Sequence, residues 1–312
     1  MRCSFLKKYA GLAALILAAP VIASPALAAS TSDDRAVVIG SKIDTEGAVL
    51  GELIVQTLER IDVPVENRLQ LGVTSVVRQA LLTGEIDLYP EYTGNGAFFF
   101  DMTASPVWQK PQQAWQTVRD KDADNGLVWL SPASANNTWA MSVRQDLAEE
   151  HDLVTLDDLA DYLADGGRFK FAASAEFVAS EQALPAFQQA YGFTLSEDQL
   201  LVLSGGNTAA TMRAAARQTS GVNAAMTYGT DGGLAALGLT VLEDTRNVQP
   251  VYQPAPVARE WVLDAYPDVV PALETVFDTL DVTTLQRLNA EVAVNGRAAG
   301  RVASDYLDDL GR

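Results

Sequence analysis

Between Ala36 and Tyr92 the chain alternates short apolar runs with amphipathic stretches. Ala36-Val37-Val38-Ile39-Gly40 is an unbroken apolar run of strand length, and Leu50, Leu53, Ile54, Leu58 and Ile61 then recur at helical spacing, which predicts a buried strand, a loop and a helix. The loop Ser41-Lys42-Ile43-Asp44-Thr45-Glu46-Gly47 falls at the carboxyl end of that strand, where open α/β sheets hold ligands, and Lys42 is placed to reach an anion. The same patterning predicts strands over 68–71, 86–89, 127–130, 138–143, 169–173, 224–228 and 239–243. It predicts helices over 74–82, 156–163, 181–191 and 209–218, with a helical end over 269–310. This alternation predicts α/β lobes with mostly parallel sheets. No fixed-period repeat, low-complexity tract or long flexible linker interrupts it, so two lobes joined by strands, with a cleft between them, are expected.

The N-terminus bears on where the chain works. Arg2, Lys7 and Lys8 precede an apolar run over 10–23, and Ala26-Leu27-Ala28 forms a small-x-small site. The run is short and is interrupted by Pro20, so residues 1–28 are expected to be a secretory signal peptide cleaved near Ala28 rather than an anchor. The one cysteine, Cys3, lies before the apolar run, where it is not placed for lipid modification. The mature chain then has no disulfide framework, thiol nucleophile or cysteine-ligated zinc, which suits a free protein of the periplasm. Its length of roughly 280 residues suits two lobes of ordinary size.

Of 22 basic and 40 acidic residues, the leader removes three basic ones, leaving 19 against 40 and a net charge of −21. Nucleic acid is an unfavourable partner for such a chain. Enzyme chemistry is poorly supplied as well. The single histidine, His151, sits in the polar stretch Glu149-Glu150-His151-Asp152 and reads as an exposed helix-end residue rather than a general base. Gly205-Gly206-Asn207 and Gly232-Gly233 form neither a dinucleotide fingerprint nor a P-loop. Asp157 and Asp158 read as solvated charges on a helix surface.

The run Gly84-Glu85-Ile86-Asp87-Leu88-Tyr89-Pro90-Glu91-Tyr92-Thr93-Gly94-Asn95 is richer. It reads as a ligand-facing loop in which Tyr89 and Tyr92 offer π-faces, Glu91 a charge, Pro90 a stiff backbone and Gly94 close approach, a combination suited to an organic cation. Trp139 follows Asn136-Asn137-Thr138, Tyr228 ends a strand before Gly229-Thr230-Asp231, and Tyr252 follows Pro250 in a loop. Convergence of these aromatic side chains with Tyr92 would make an aromatic box for quaternary ammonium.

Gly40-Ser41-Lys42 with Thr45-Glu46, then Tyr89-Pro90-Glu91-Tyr92-Thr93-Gly94, Asn136-Asn137-Thr138-Trp139 and Tyr228-Gly229-Thr230-Asp231-Gly232 occur in this order. Together they resemble the substrate-binding proteins of osmoprotectant ABC transporters, the glycine betaine, choline and carnitine group, over essentially the mature chain. The resemblance implies the type II periplasmic binding fold: one discontinuous lobe of residues 29–137 and 247–312, a second of 138–246, and crossings near Asn137 and Arg246. It implies cage aromatics at Tyr92 and Tyr252 from the first lobe and at Trp139 and Tyr228 from the second. Lys42 and Asn95 match positions that contact a ligand carboxylate, and Asn137 one whose backbone carbonyl touches the cation. Relatives often carry tyrosine at Trp139 and glutamine at Gly47, and aromatic positions around Leu184 and Thr211-Met212 are absent, which implies a box with fewer walls. A monomeric receptor is implied, not an enzyme, which needs no cofactor or metal. It would pass a zwitterionic quaternary amine such as glycine betaine to a permease with a cytoplasmic ATPase. Choline, carnitine, a betaine-like thiol compound or an amino acid as ligand, or a sensor role, are the alternatives.

Overall fold

The computed structural model describes residues 35–204 and 208–311. The leader, Cys3 and Gly205-Gly206-Asn207 lie outside the described residues. Among the described residues ten strands form two five-stranded sheets. The first contains β1 (Val37–Lys42), β2 (Val65–Gly72), β3 (Leu88–Tyr92), β4 (Leu127–Trp129) and β10 (Pro254–Arg259), in the order β2-β1-β3-β10-β4. The second contains β5 (Trp139–Arg144), β6 (Phe171–Ser174), β7 (Leu200–Leu203), β8 (Ala224–Tyr228) and β9 (Leu239–Val241), in the order β7-β6-β8-β5-β9.

These sheets correct the expectation of mostly parallel pairing. β1 runs parallel to β2 and β3, and β6 parallel to β7 and β8, but β10 is antiparallel to β3 and β4, and β5 antiparallel to β8 and β9. The reversed strands are those that arrive from the other sheet. Such a strand is not the product of a helical crossover within one sheet, so the rule that makes βαβ neighbours parallel does not bind it.

Local chemistry explains the elements that place the site. In the helix Thr45–Glu59 the Asp44 side chain caps the first turn by accepting from the Gly47 N–H at 2.7 Å, and Leu50, Leu53, Ile54 and Leu58 are fully buried on one face. That face packs into a core shared with Leu273, Phe277, Leu285 and Leu307 from the C-terminal helices. The second sheet is covered in the same way by Leu156, Leu159, Phe177 and Phe187. Asp158 forms a capping box with Thr155 at the start of the helix Leu156–Ala164, and Asp157 pairs with Arg246; the two aspartates thus have partners rather than being simply solvated.

The chain passes from the first sheet to the second between Trp129 and Trp139 and returns between Val241 and Pro254. The two passages lie side by side. Asn137 N–H donates to the Tyr252 carbonyl at 3.0 Å, Tyr252 N–H to Asn136 Oδ1 at 2.8 Å, Thr138 Oγ1 to the Pro250 carbonyl at 2.8 Å, and Ala133 N–H to the Pro254 carbonyl at 2.9 Å. The lobes also touch at the turn that follows β8. A Cβ on Gly232 would lie 2.2 Å from the Ala290 backbone nitrogen, so glycine is what lets the helix Val282–Ala293 approach this turn. Among the described residues no helix is long and apolar enough to cross a membrane.

Candidate functional site: an aromatic cleft

A cleft of about 1090 Å³ opens at the ends of the strands, slightly above the usual size range for small-molecule sites. Lys42, Tyr92, Asn95, Asn137, Trp139, Tyr228 and Tyr252 all line it. Lys42 is the last residue of β1 and Tyr92 the last of β3, so the two parallel strands deliver both side chains to one edge. Trp139 opens β5 and Tyr228 closes β8, and the two are direct register partners in the antiparallel ladder, which puts their side chains on one face. The Trp139 ring is held by an edge contact with Phe177, centroids 5.6 Å apart. Tyr252 comes from the return passage and lies against Gly94, where a Cβ would come within 2.8 Å of its ring. Burial pushes the Tyr252 hydroxyl up to about 12 and raises that of Tyr228, so both present neutral rings.

The ligand-facing loop expected over 84–95 is a strand at its centre. Successive residues of β3 point to opposite faces, which separates the two tyrosines. Tyr92 lines the cleft, whereas Tyr89 is fully buried in the core with Trp108 and Trp129 and donates from its hydroxyl to Glu91 Oε2 at 3.0 Å. Glu91 is also fully buried. Its Oε1 accepts from Lys42 Nζ at 2.5 Å, Asn95 Nδ2 at 2.7 Å and the Tyr92 N–H at 2.6 Å. Lys42 Nζ also lies 4.5 Å from the centre of the Tyr92 ring. The structure thus brings Lys42 and Asn95 together around an internal carboxylate.

A second carboxylate holds the cleft floor. Glu46, buried in the first turn of its helix, accepts from the Tyr92 hydroxyl at 2.7 Å and Asn137 Nδ2 at 3.0 Å through Oε1, and from Asn289 Nδ2 at 2.7 Å through Oε2. Burial raises its pKa, hydrogen bonds from Thr230, Tyr92 and Asn289 pull it back, and the charge of Asp44 adds to the rise. Across the cleft Asp231 accepts from the Tyr228 N–H at 2.8 Å and from Thr208 Oγ1 at 3.2 Å, and burial raises its pKa as well. Asn137 Oδ1 and Asn289 Oδ1 are buried acceptors without a partner among the described residues, and both residues line the cleft.

Glu46 stands in one of the ordered motifs, a signal that could have marked it; Asn289 sits mid-helix in a polar stretch with nothing to single it out. Where further cage aromatics are absent, Leu184 fills the second-lobe core, Thr211 donates to the Met226 carbonyl at 2.6 Å, and Met212 lines the cleft. His151 ends the helix Gln145–His151, stays exposed and packs on Tyr162 with ring centres 4.7 Å apart, outside the cleft lining. Among the described residues no group of three or more His, Cys, Asp or Glu is placed to hold a metal ion.

Neutral rings from both sheets over hydrogen-bonded carboxylates give a site that can enclose a small ion and desolvate it. Two α/β lobes, side-by-side passages and such a cleft define a two-lobed solute receptor. The chain belongs to the family described as the substrate binding domain of ABC-type glycine betaine transport systems, whose model matches residues 35–309. It is 58% identical over 274 residues to the glycine betaine-binding protein YehZ of Escherichia coli (strain K12), covering 88% of this chain and 90% of that one. It is 28% identical over 275 residues to the glycine-betaine-binding protein of Pseudomonas aeruginosa, covering 86% of each. Among solved structures, apo YehZ of Escherichia coli matches with a TM-score of 0.84 at 57% identity, covering 88% of this chain and 99% of that one.

Proposed function

We propose that this chain is an exported receptor that captures glycine betaine or a related quaternary-ammonium solute and delivers it to the permease of an ABC transporter. In this reading residues 1–28 are removed on export to the periplasm, residues 29–137 with 247–312 form one lobe and 138–246 the other, and the receptor acts as a monomer without catalysis. The observation that carries it is the convergence of Tyr92, Trp139, Tyr228 and Tyr252 in one cleft. A methylated ammonium keeps no N–H to donate, so neutral π-faces and desolvation are what recognise it. Lys42 and Asn95 lie toward the carboxylate end, and Asn137 toward the cation. Because both lobes supply walls, the full set of contacts forms only when they close, so binding energy shifts the population to the closed state that a permease reads. Isothermal titration of Tyr228→Ala and Lys42→Ala with glycine betaine tests the assignment: each variant weakens binding, and unchanged affinity in either contradicts it.

A further inference from the structure

We propose that Glu91 is a resident carboxylate that backs the anion corner of the cleft, behind Lys42 and Asn95, and sets its specificity, lowering the advantage of zwitterions over quaternary cations whose second end is an uncharged polar group. The proposal rests on the quaternary-ammonium reading of the cleft. Three donors converge on the one oxygen Glu91 Oε1: Lys42 Nζ at 2.5 Å, Asn95 Nδ2 at 2.7 Å and the Tyr92 N–H at 2.6 Å. The other oxygen takes the Tyr89 hydroxyl at 3.0 Å. The Lys42 and Glu91 side chains are 8% and 0% exposed, so little water screens the pair.

The two side chains best placed to grip a ligand carboxylate therefore already grip one. An incoming carboxylate must share Lys42 with Glu91 and meets the field of a second negative charge behind it. The ammonium end meets no such competitor on Trp139, Tyr228 or Tyr252. The wider cleft has the same bias: its lining carries Asp44, Glu46, Glu176 and Asp231 against Lys42 and Arg213. Charge-assisted hydrogen bonds are the strong ones, so which carboxylate owns Lys42 decides how far a ligand's anionic end contributes.

Three variants separate the possibilities, each checked for folding by circular dichroism and titrated with glycine betaine and with choline. In Glu91→Gln the affinity ratio of betaine to choline rises about tenfold. Lys42→Ala leaves Glu91 unpaired, so betaine weakens while choline tightens. The double variant Lys42→Met with Glu91→Leu removes both charges without stranding either, and its ratio returns to within about threefold of the unmodified protein. An unchanged ratio in folded Glu91→Gln overturns the proposal, as does a double variant that loses betaine as fully as Lys42→Ala. A ligand-independent arm uses Glu91→Ala, which vacates a carboxylate-sized space behind Lys42 and Asn95. Acetate raises its melting temperature above that in equal chloride and leaves the unmodified protein unaffected; no such rescue overturns the resident-carboxylate assignment. If acetate rescues but neither quaternary amine binds any form, the receptor reading fails while the charge arrangement at Glu91 stands.

Discussion

Asn289 donates its side-chain amide to Glu46 Oε2 at 2.7 Å and to the Thr230 carbonyl at 2.9 Å, so one residue of the helix Val282–Ala293 ties the floor of the first lobe to the β8 turn of the second. Gln286, one turn earlier, donates to the Gly229 carbonyl at 2.7 Å. The bonds to the Thr230 and Gly229 carbonyls cross between the lobes and exist only while these are together, so they stabilise the closed form, whereas the bond to Glu46 lies within the first lobe. Removing one neutral hydrogen bond between the lobes costs about 0.5–1.5 kcal/mol. Asn289→Ala is therefore expected to weaken ligand binding by up to about tenfold. Titration calorimetry reads the affinity, and small-angle scattering at saturating ligand reads the residual open fraction. Unchanged affinity contradicts a role in closure.

Glu46 carries a pH signature. Its pKa is raised above the ordinary 4.5 by burial, with Asp44 adding to the rise against the hydrogen bonds from Thr230, Tyr92 and Asn289. The protonated folded form is thus favoured relative to the unfolded chain. The stability this contributes is fully present below the unfolded value and is lost as pH rises through the higher folded value. Glu46→Gln has no such titration. The melting temperature of the unmodified protein minus that of Glu46→Gln should fall as pH is raised from about 4 toward neutrality; a difference that is flat or rises with pH contradicts the assignment.

The cage predicts an ordering among aromatic substitutions. Tyr228 faces the cleft opposite Trp139, and a desolvated cation–π contact of about 2 kcal/mol corresponds to roughly thirtyfold in affinity. Tyr228→Ala should lose about that much, whereas Tyr228→Phe, which keeps the ring, should lose only a few-fold. Fluorescence titration of both variants checks this, and equal losses would show that the hydroxyl rather than the ring carries the contact.

Stability and binding should separate at Arg78. Its guanidinium makes a bidentate pair with Asp122, which is fully buried and also accepts from Trp129 Nε1 at 2.7 Å. Arg78→Met strands the Asp122 charge and should cost about 3–5 kcal/mol in urea unfolding, with betaine affinity in the remaining folded protein unchanged because Arg78 lies outside the cleft lining. A loss of affinity instead of stability contradicts this division.

What the sequence discloses follows the strength of the local signal. β1 and the helix Thr45–Glu59 were legible because their apolar positions match one period cleanly, and the strand expected over 224–228 coincides with β8. β10 was not legible. Its sequence Pro-Ala-Pro-Val-Ala-Arg reads as a breaker, yet Pro256 sits directly across from Pro90 and still gives its carbonyl to the Leu130 N–H at 3.0 Å. The helix Pro111–Asp122 was hidden because only Ala114, Trp115 and Val118 mark its inner face. In the cleft, aromatic side chains at strand ends could be picked out one by one. Glu46 and Glu91 stand in the ordered motifs too, but their burial and their partners were not legible, since these arise from residues far apart in the chain.

Capture of a quaternary ammonium solute is tested by calorimetric titration of the mature protein, unfolded and refolded to strip carried-over ligand, with glycine betaine, choline, carnitine and proline. Saturable one-to-one binding of glycine betaine, with no heat from proline, is the predicted result. No binding of any quaternary amine at millimolar concentrations would contradict the account.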